Sequence, residues 1–207
     1  MFLASDLIRA RCNDAGDSLI KWSTYEPGNV RQASYDLRLG PDSYVVGDGA
    51  PIHLTDNQRY LTVAPGQFAL LTTLEELAIP ADLLAFITVR NSFKMQGLIN
   101  VSGFHVDPTF KGKLVFAVNN IGPSDIRFRL GEATFTIFFS RVTGEIEGKR
   151  GPVADPLPLQ YIQLLGGSSI TLSKLQKELE DLRKMMLLYA PLGIALLIAL
   201  ILNFLKK

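Results

Sequence analysis

After the first dozen residues, apolar side chains come in short runs of five to nine positions, punctuated by Gly, Pro, Asn and Asp. The runs lie at 34–39, 59–63, 67–72, 84–89, 113–119, 125–130 and 133–141, and helical spacing largely disappears across them. Many short strands between turn signals predict an all-β sandwich or barrel. Pro65-Gly66, Gly122-Pro123 and Gly131-Glu132 supply the turns, through the fixed φ of Pro and the positive φ open to Gly. Ahead of the runs, the Ser5 hydroxyl is placed to cap a short helix over 6–11. No internal repeat is visible.

The pattern changes after the last run. Residues 144–168 read as a Pro/Gly-rich arm or linker, with Pro152, Pro156 and Pro158 expected to break any regular element. Over 169–184, Leu172, Leu175, Leu179, Leu182 and, just beyond, Met186 step by three and four with charged residues between them. That spacing is a coiled-coil seam of about two heptads, or else one amphipathic helix lying on the head or on a membrane surface. Residues 185–205 hold no charge and close on Lys206-Lys207. Such a length crosses a hydrocarbon core of about 30 Å as a helix. Tyr189 and Asn203 suit the interfaces, and Pro191 falls in the first turns. The sequence therefore predicts a transmembrane tail anchor with a lipid bilayer as partner, the alternative being an apolar helix buried in an oligomer. A β domain over 1–143 remains, and head plus arm, about 165 residues, make one well-cored unit.

Composition narrows the function. With 21 basic and 20 acidic residues the net charge is +1, and no basic stripe interleaved with aromatics marks a nucleic-acid polymer as partner. Cys12 is the only cysteine, so an intrachain disulfide and a thiolate-rich metal site are both excluded. The start, MFLASDLIRAR, is not a secretory signal, which places the head of a single-pass membrane protein in the cytosol.

Two segments carry a resemblance: Ser34-Tyr35-Asp36-Leu37-Arg38-Leu39-Gly40, and Val89-Arg90-Asn91-Ser92-Phe93 followed by Gly97-Leu98. Ser5-Asp6, Ile79-Pro80-Ala81-Asp82-Leu83, Val106-Asp107-Pro108 with Phe110-Lys111-Gly112, Asn119, and Leu130-Gly131-Glu132 extend it in order over 5–141. The chain resembles the dCTP deaminase branch of the dUTPase superfamily. The resemblance implies a mainly β, distorted barrel or jelly roll of the dUTPase-like kind, assembled as a homotrimer with sites between subunits. It also implies a pyrimidine nucleotide as ligand, with Mg²⁺ arriving through the nucleotide phosphates.

The chemistry departs from that family. Where its deaminases read Arg-Ser-Ser-Leu-Ala-Arg, this chain has Arg90-Asn91-Ser92-Phe93-Lys94-Met95. Asn91 still forms hydrogen bonds, whereas Met95 supplies no charge. Lys94 either compensates or is a solvated surface lysine. The family's water-activating glutamate falls at Ala117, ten residues after Asp107. A methyl group accepts no proton, and general-base catalysis contributes about 10²- to 10⁴-fold. Asp107 corresponds to the residue that contacts deoxyribose and, in dUTPases, orients the attacking water; otherwise it makes a Pro-containing turn. A zinc mechanism needs a Cys pair and a His or Cys ligand beside Glu. One cysteine, with His53 and His105 far apart in sequence, does not meet that need. Neither closing motif of the family is recognisable after Ser140; Gly166-Gly167-Ser168-Ser169 is a phosphate wrap or a hinge, and Thr136 replaces a common glutamine.

The site expected from the sequence is thus Arg90, Asn91, Ser92 and Lys94 toward phosphates and Asp107 toward sugar. The function expected is nucleotide binding by a pseudoenzyme. The alternatives are an active dCTP deaminase or dUTP pyrophosphatase using Asp107 and Mg²⁺, and a structural trimeric scaffold.

Overall fold

Helix α1 (Ser5–Asn13) buries Ile8 and Cys12 and leaves its charged residues outward. A single 3-10 turn at Pro27–Asn29 precedes β1 (Tyr35–Val45), β2 (Ile52–His53), β3 (Tyr60–Val63), β4 (Phe68–Ala78) and β5 (Leu83–Val89). There follow α2 (Asn91–Lys94), β6 (Leu98–Asn100), β7 (His105–Val106), β8 (Lys111–Asn120), β9 (Ile126–Arg129), β10 (Ala133–Arg141), α3 (Leu159–Leu165) and α4 (Leu172–Leu205). This computed structural model describes residues 1–13, 18–148, 157, 159–165 and 172–205. The chain divides into two units, Met1–Ser169 and Ile170–Lys207.

In the first unit the strands pair antiparallel in the order β6-β8-β4-β1-β10-β5-β7, with β2 added to β1, and β3 pairs β9 in a separate ribbon. Alternation along each strand fills the core. Leu114, Phe116 and Val118 of β8 face inward with Phe135, Ile137 and Phe139 of β10 and with Phe128 of β9. Phe116 stacks on Phe135, and Phe93 of α2 stacks on Phe128 with centroids 5.0 Å apart. Each fully buried side chain of this size contributes about 1.5–3 kcal/mol.

The mainly β expectation holds, and the seven apolar runs overlap β1, β3, β4, β5, β8, β9 and β10. Two of these strands outrun their patterns. β1 continues to Val45 and β4 to Ala78 because side chains repair the backbone bonds where their registers slip. β1 leaves β10 after Arg38 and joins β4 from Leu39 onward. At that crossing the fully buried Glu75 takes the Arg38 amide at 2.8 Å and its Nε at 2.7 Å. Tyr35 donates its hydroxyl to the same carboxylate, and Arg38 also reaches the Thr24 carbonyl at 2.5 Å. Thr73, at the slip in β4, accepts from the Leu114 amide and donates to the Glu75 carbonyl. Three short strands and α2 escaped the sequence, since two to four residues carry too little periodicity to register.

The expected irregular arm contains a helix. α3 forms after the last of the three prolines, so no proline lies inside it. Leu157 and Ile162 are buried and Leu165 partly so, against Tyr44, Val46 and Leu70. Gly166-Gly167-Ser168-Ser169 lies outside the described residues.

The second unit is α4. Among the described residues no helix is long and apolar enough to cross a membrane. This corrects the expected anchor over 185–205, and with it the single-pass membrane placement, the cytosolic head and the lipid bilayer as partner. The apolar stretch is not an element of its own. α4 runs unbroken from Leu172 and carries Glu178, Glu180, Asp181, Arg183 and Lys184 in the same helix, with Pro191 inside it. Leu175, Leu179, Leu182 and Met186 are all exposed along it.

Two predictions arise from this packing. Gly97, at φ 98°, lies back to back with Gly122, and a Cβ added to it would stand 2.4 Å from the Gly122 backbone. Gly97→Ala should cost about 2–4 kcal/mol in urea unfolding, and an unchanged midpoint would mean that this contact does not hold α2 in place. Burial pushes the Glu75 carboxyl above its ordinary 4.5, against the lowering by Arg38. The folded chain then keeps this proton to higher pH than the unfolded chain does, so stability falls as pH rises from the ordinary glutamate range toward the raised value. Glu75→Gln should remove that slope from a pH series of unfolding midpoints.

Candidate functional site

Arg90 is positioned by a bulge. Leu37 pairs with Phe135 and Arg38 with Ala133, which leaves Thr134 as the extra residue of β10. The released carbonyls turn toward Arg90: Thr134 accepts from its amide at 2.9 Å, and Ala133 from Nη1 at 3.1 Å. Strand alternation puts Tyr35 and Leu37 in the core and Asp36 on the opposite face, directly across from Thr136. There the Asp36 carboxylate lies 3.5 Å from Nε of Arg90, 2.7 Å from Nε of Arg31, and accepts from the Thr136 hydroxyl at 3.0 Å. It is 4% exposed. Arg31 and Asp36 were not among the expected site residues. The signal available was alternation, which places a carboxylate of the Ser34–Gly40 motif away from the core.

α2 continues from Arg90 and presents Asn91, Ser92 and Lys94 outward, with Phe93 inward. Lys94 makes no ion pair among the described residues, and Met95 beside it is 78% exposed. Asp107 stands after β7, half-exposed, with its Oδ1 3.3 Å from Nε2 of His105. The structure thus gathers Arg90 with Asp36, Arg31 and Thr136, and Asp107 with His105. His53 pairs with Asp42 at 2.7 Å. Among the described residues no three His, Cys, Asp or Glu side chains converge as a metal site. Burial raises the Cys12 thiol to about 12, which keeps it protonated and unreactive.

Ala117 lies on the face of β8 opposite Phe116, packed with Val115 and Phe68 against Tyr44, Val46, Leu70, Leu157 and Ile162. Its carbonyl accepts from the Val101 and Ser102 amides, tying this position to the loop between β6 and β7. Ala117 therefore borders an apolar cluster completed by the arm. An ionised side chain there would lose water without gaining a partner.

The antiparallel sheet, its bulge at Thr134 and the cluster of Asp36, Arg31, Arg90 and Thr136 place charged and hydroxyl-bearing side chains together at the end of β5. The "dCTP deaminase-like" family description matches residues 2–142, and the chain belongs to that family. It is 30% identical over 146 residues to a dCTP deaminase of Thermococcus kodakarensis, covering 70% of this chain and 85% of that one. A dUMP-forming dCTP deaminase of Aquifex aeolicus is 28% identical, over 65% of this chain and 84% of its own. The crystal structure of a 2'-deoxycytidine 5'-triphosphate deaminase from Agrobacterium tumefaciens superposes with a TM-score of 0.55 at 22% identity, over 69% of this chain. The chain spans about half of that protein (49%), and the likeness shows the shared fold.

Thr109, two residues beyond Asp107, adopts φ 64°, a left-handed conformation that β-branched side chains rarely take. Thr109→Gly should relieve about 1 kcal/mol of backbone strain and raise the unfolding midpoint. An unchanged or lowered midpoint would mean that the threonine's own contacts outweigh the strain.

Proposed function

We propose that this protein binds a pyrimidine (deoxy)nucleotide on the deaminase scaffold, with deamination lost. The observation that carries the loss is Ala117, apolar and packed into an apolar cluster where the family resemblance places the general base. The observation that supports binding is the cationic and hydroxyl set at the end of β5, with Asn91, Ser92 and Lys94 exposed beside Arg90. In this reading Arg90, Asn91, Ser92 and Lys94 hold phosphate oxygens and Asp107 contacts the sugar. Mg²⁺ enters with the nucleotide, on phosphate oxygens that suit a hard cation.

The homotrimer belongs to the same reading, with sites completed by neighbouring copies. Its support is an aromatic row on the sheet face, Phe2 against Phe86 and Phe138, and Phe86 against Phe104, with Phe2 and Phe104 exposed and the other two half-buried. Phosphate hydrolysis, as in a dUTP pyrophosphatase, is the second reading. A half-exposed Asp107 carboxylate beside His105 is what favours it.

The assay incubates the full chain with Mg²⁺ and each of dCTP, dUTP, CTP and dTTP, following products by chromatography and melting temperature in parallel. The expected outcome is a raised melting temperature with intact nucleotide, because a ligand selective for the folded state stabilises it. Deaminated product would overturn the loss of catalysis, and dUMP formation abolished by Asp107→Ala would establish the hydrolytic reading instead. No thermal response to any nucleotide would sink the binding reading and leave a structural role. Ala117→Glu should cost about 1–3 kcal/mol of stability, since it forces a carboxylate against the Leu157 and Ile162 cluster.

A further inference from the structure

One carboxylate in this chain holds two guanidinium groups. Asp36 neutralises a single positive charge, yet Nε of Arg31 and Nε of Arg90 both lie within 3.5 Å of its Oδ2. The three groups together keep a net charge of +1, and the two cations repel each other unless another anion joins them. Pairing through Nε leaves the outer edge of each guanidinium uncommitted. Both terminal nitrogens of Arg31 have no partner among the described residues, and Arg90 commits only Nη1, to the Ala133 carbonyl. The side chains are 47% and 34% exposed, so those edges are open to solvent while Asp36 beneath them is not.

Both arginines are also fixed from behind. The Arg31 amide donates to the Ser34 carbonyl at 2.8 Å, in a tight turn closed by the bridge between Val30 and Tyr35. Arg90 is fixed by the two carbonyls of the β10 bulge. Two guanidinium groups gathered on one carboxylate before binding suit an anion with several oxygens on adjacent centres, and less side-chain entropy is left to lose.

We propose that Arg31 and Arg90, aimed by Asp36, form a phosphoryl-anion site for a di- or triphosphate group. Arg31 lies outside the motifs that carry the family resemblance, and its guanidinium adds positive charge to a site from which the second arginine of the deaminase motif is missing. The inference rests on the nucleotide reading only for what the phosphate chain is attached to. Asp36 acts as a positioning residue.

The test titrates the full chain, and its Arg31→Gln and Arg31→Lys variants, with inorganic pyrophosphate and separately with dCTP. Calorimetry gives the affinity, and circular dichroism verifies the fold. Pyrophosphate should bind the parent chain, more weakly as salt rises. Arg31→Gln should weaken it at least tenfold, while Arg31→Lys, which keeps the charge and the pairing with Asp36 but loses the fork, falls between. Failure of pyrophosphate to bind, or equal affinity in Arg31→Gln, overturns the proposal. Pyrophosphate binding through Arg31 without any binding of dCTP upholds the anion site and removes the nucleotide reading. Binding of dCTP that is indifferent to Arg31→Gln does the reverse.

Discussion

The crossing of β1 from one half of the sheet to the other depends on a buried ion pair. Antiparallel ladders satisfy backbone groups only while register is kept, and β1 changes partner in mid-strand. Glu75 receives the Arg38 amide and guanidinium at that point, so the break in the ladder leaves no orphan donor at Arg38. Such a pair is costly to desolvate, and its worth is geometric: it permits one long strand to belong to two sheet halves. Tyr35 and Thr24 tie the loop before β1 to the same carboxylate, directly or through Arg38. The turn that carries Arg31 is held between that loop and the strand.

From that strand the two faces take different tasks. Tyr35, Leu37 and Leu39 enter the core, while Asp36 emerges beneath Arg31, Arg90 and Thr136. The bulge at Thr134 supplies the carbonyls that hold Arg90, so the site is an outcome of register as much as of residue choice. On β8 the same alternation divides neighbouring residues between two clusters. Phe116 serves the core and Ala117 the apolar cluster that the arm completes. A scaffold shared with deaminases thus carries an arginine pair on one face of β1 and an apolar cluster beside Ala117 on β8.

Legibility in the sequence followed the strength of local patterns. Runs such as 84–89 and 133–141 were visible because short apolar stretches bounded by turn-forming residues declare themselves within a few positions. β2, β6 and β7 were not visible, since two or three residues pair only when a longer neighbour presents an edge. Arg90 was identified by motif and Ala117 by counting from Asp107. Arg31 and Asp36 were missed as partners because five residues of sequence separation say nothing about a contact that needs a turn, a strand and a bulge. The apolar tail illustrates the opposite hazard: composition over 185–205 suggested a membrane span, but the helix that contains it begins thirteen residues earlier among charged side chains.

The sequence by itself determined the mainly β class and the family, since both are written in contiguous residues or in spacing. Tertiary structure alone decided that Asp36 serves two arginines, that Glu75 carries the strand crossing, and that the arm closes over Ala117. Those are contacts between residues distant along the chain, or between residues whose approach requires a register slip. Their energies arise from burial and geometry that no local pattern encodes.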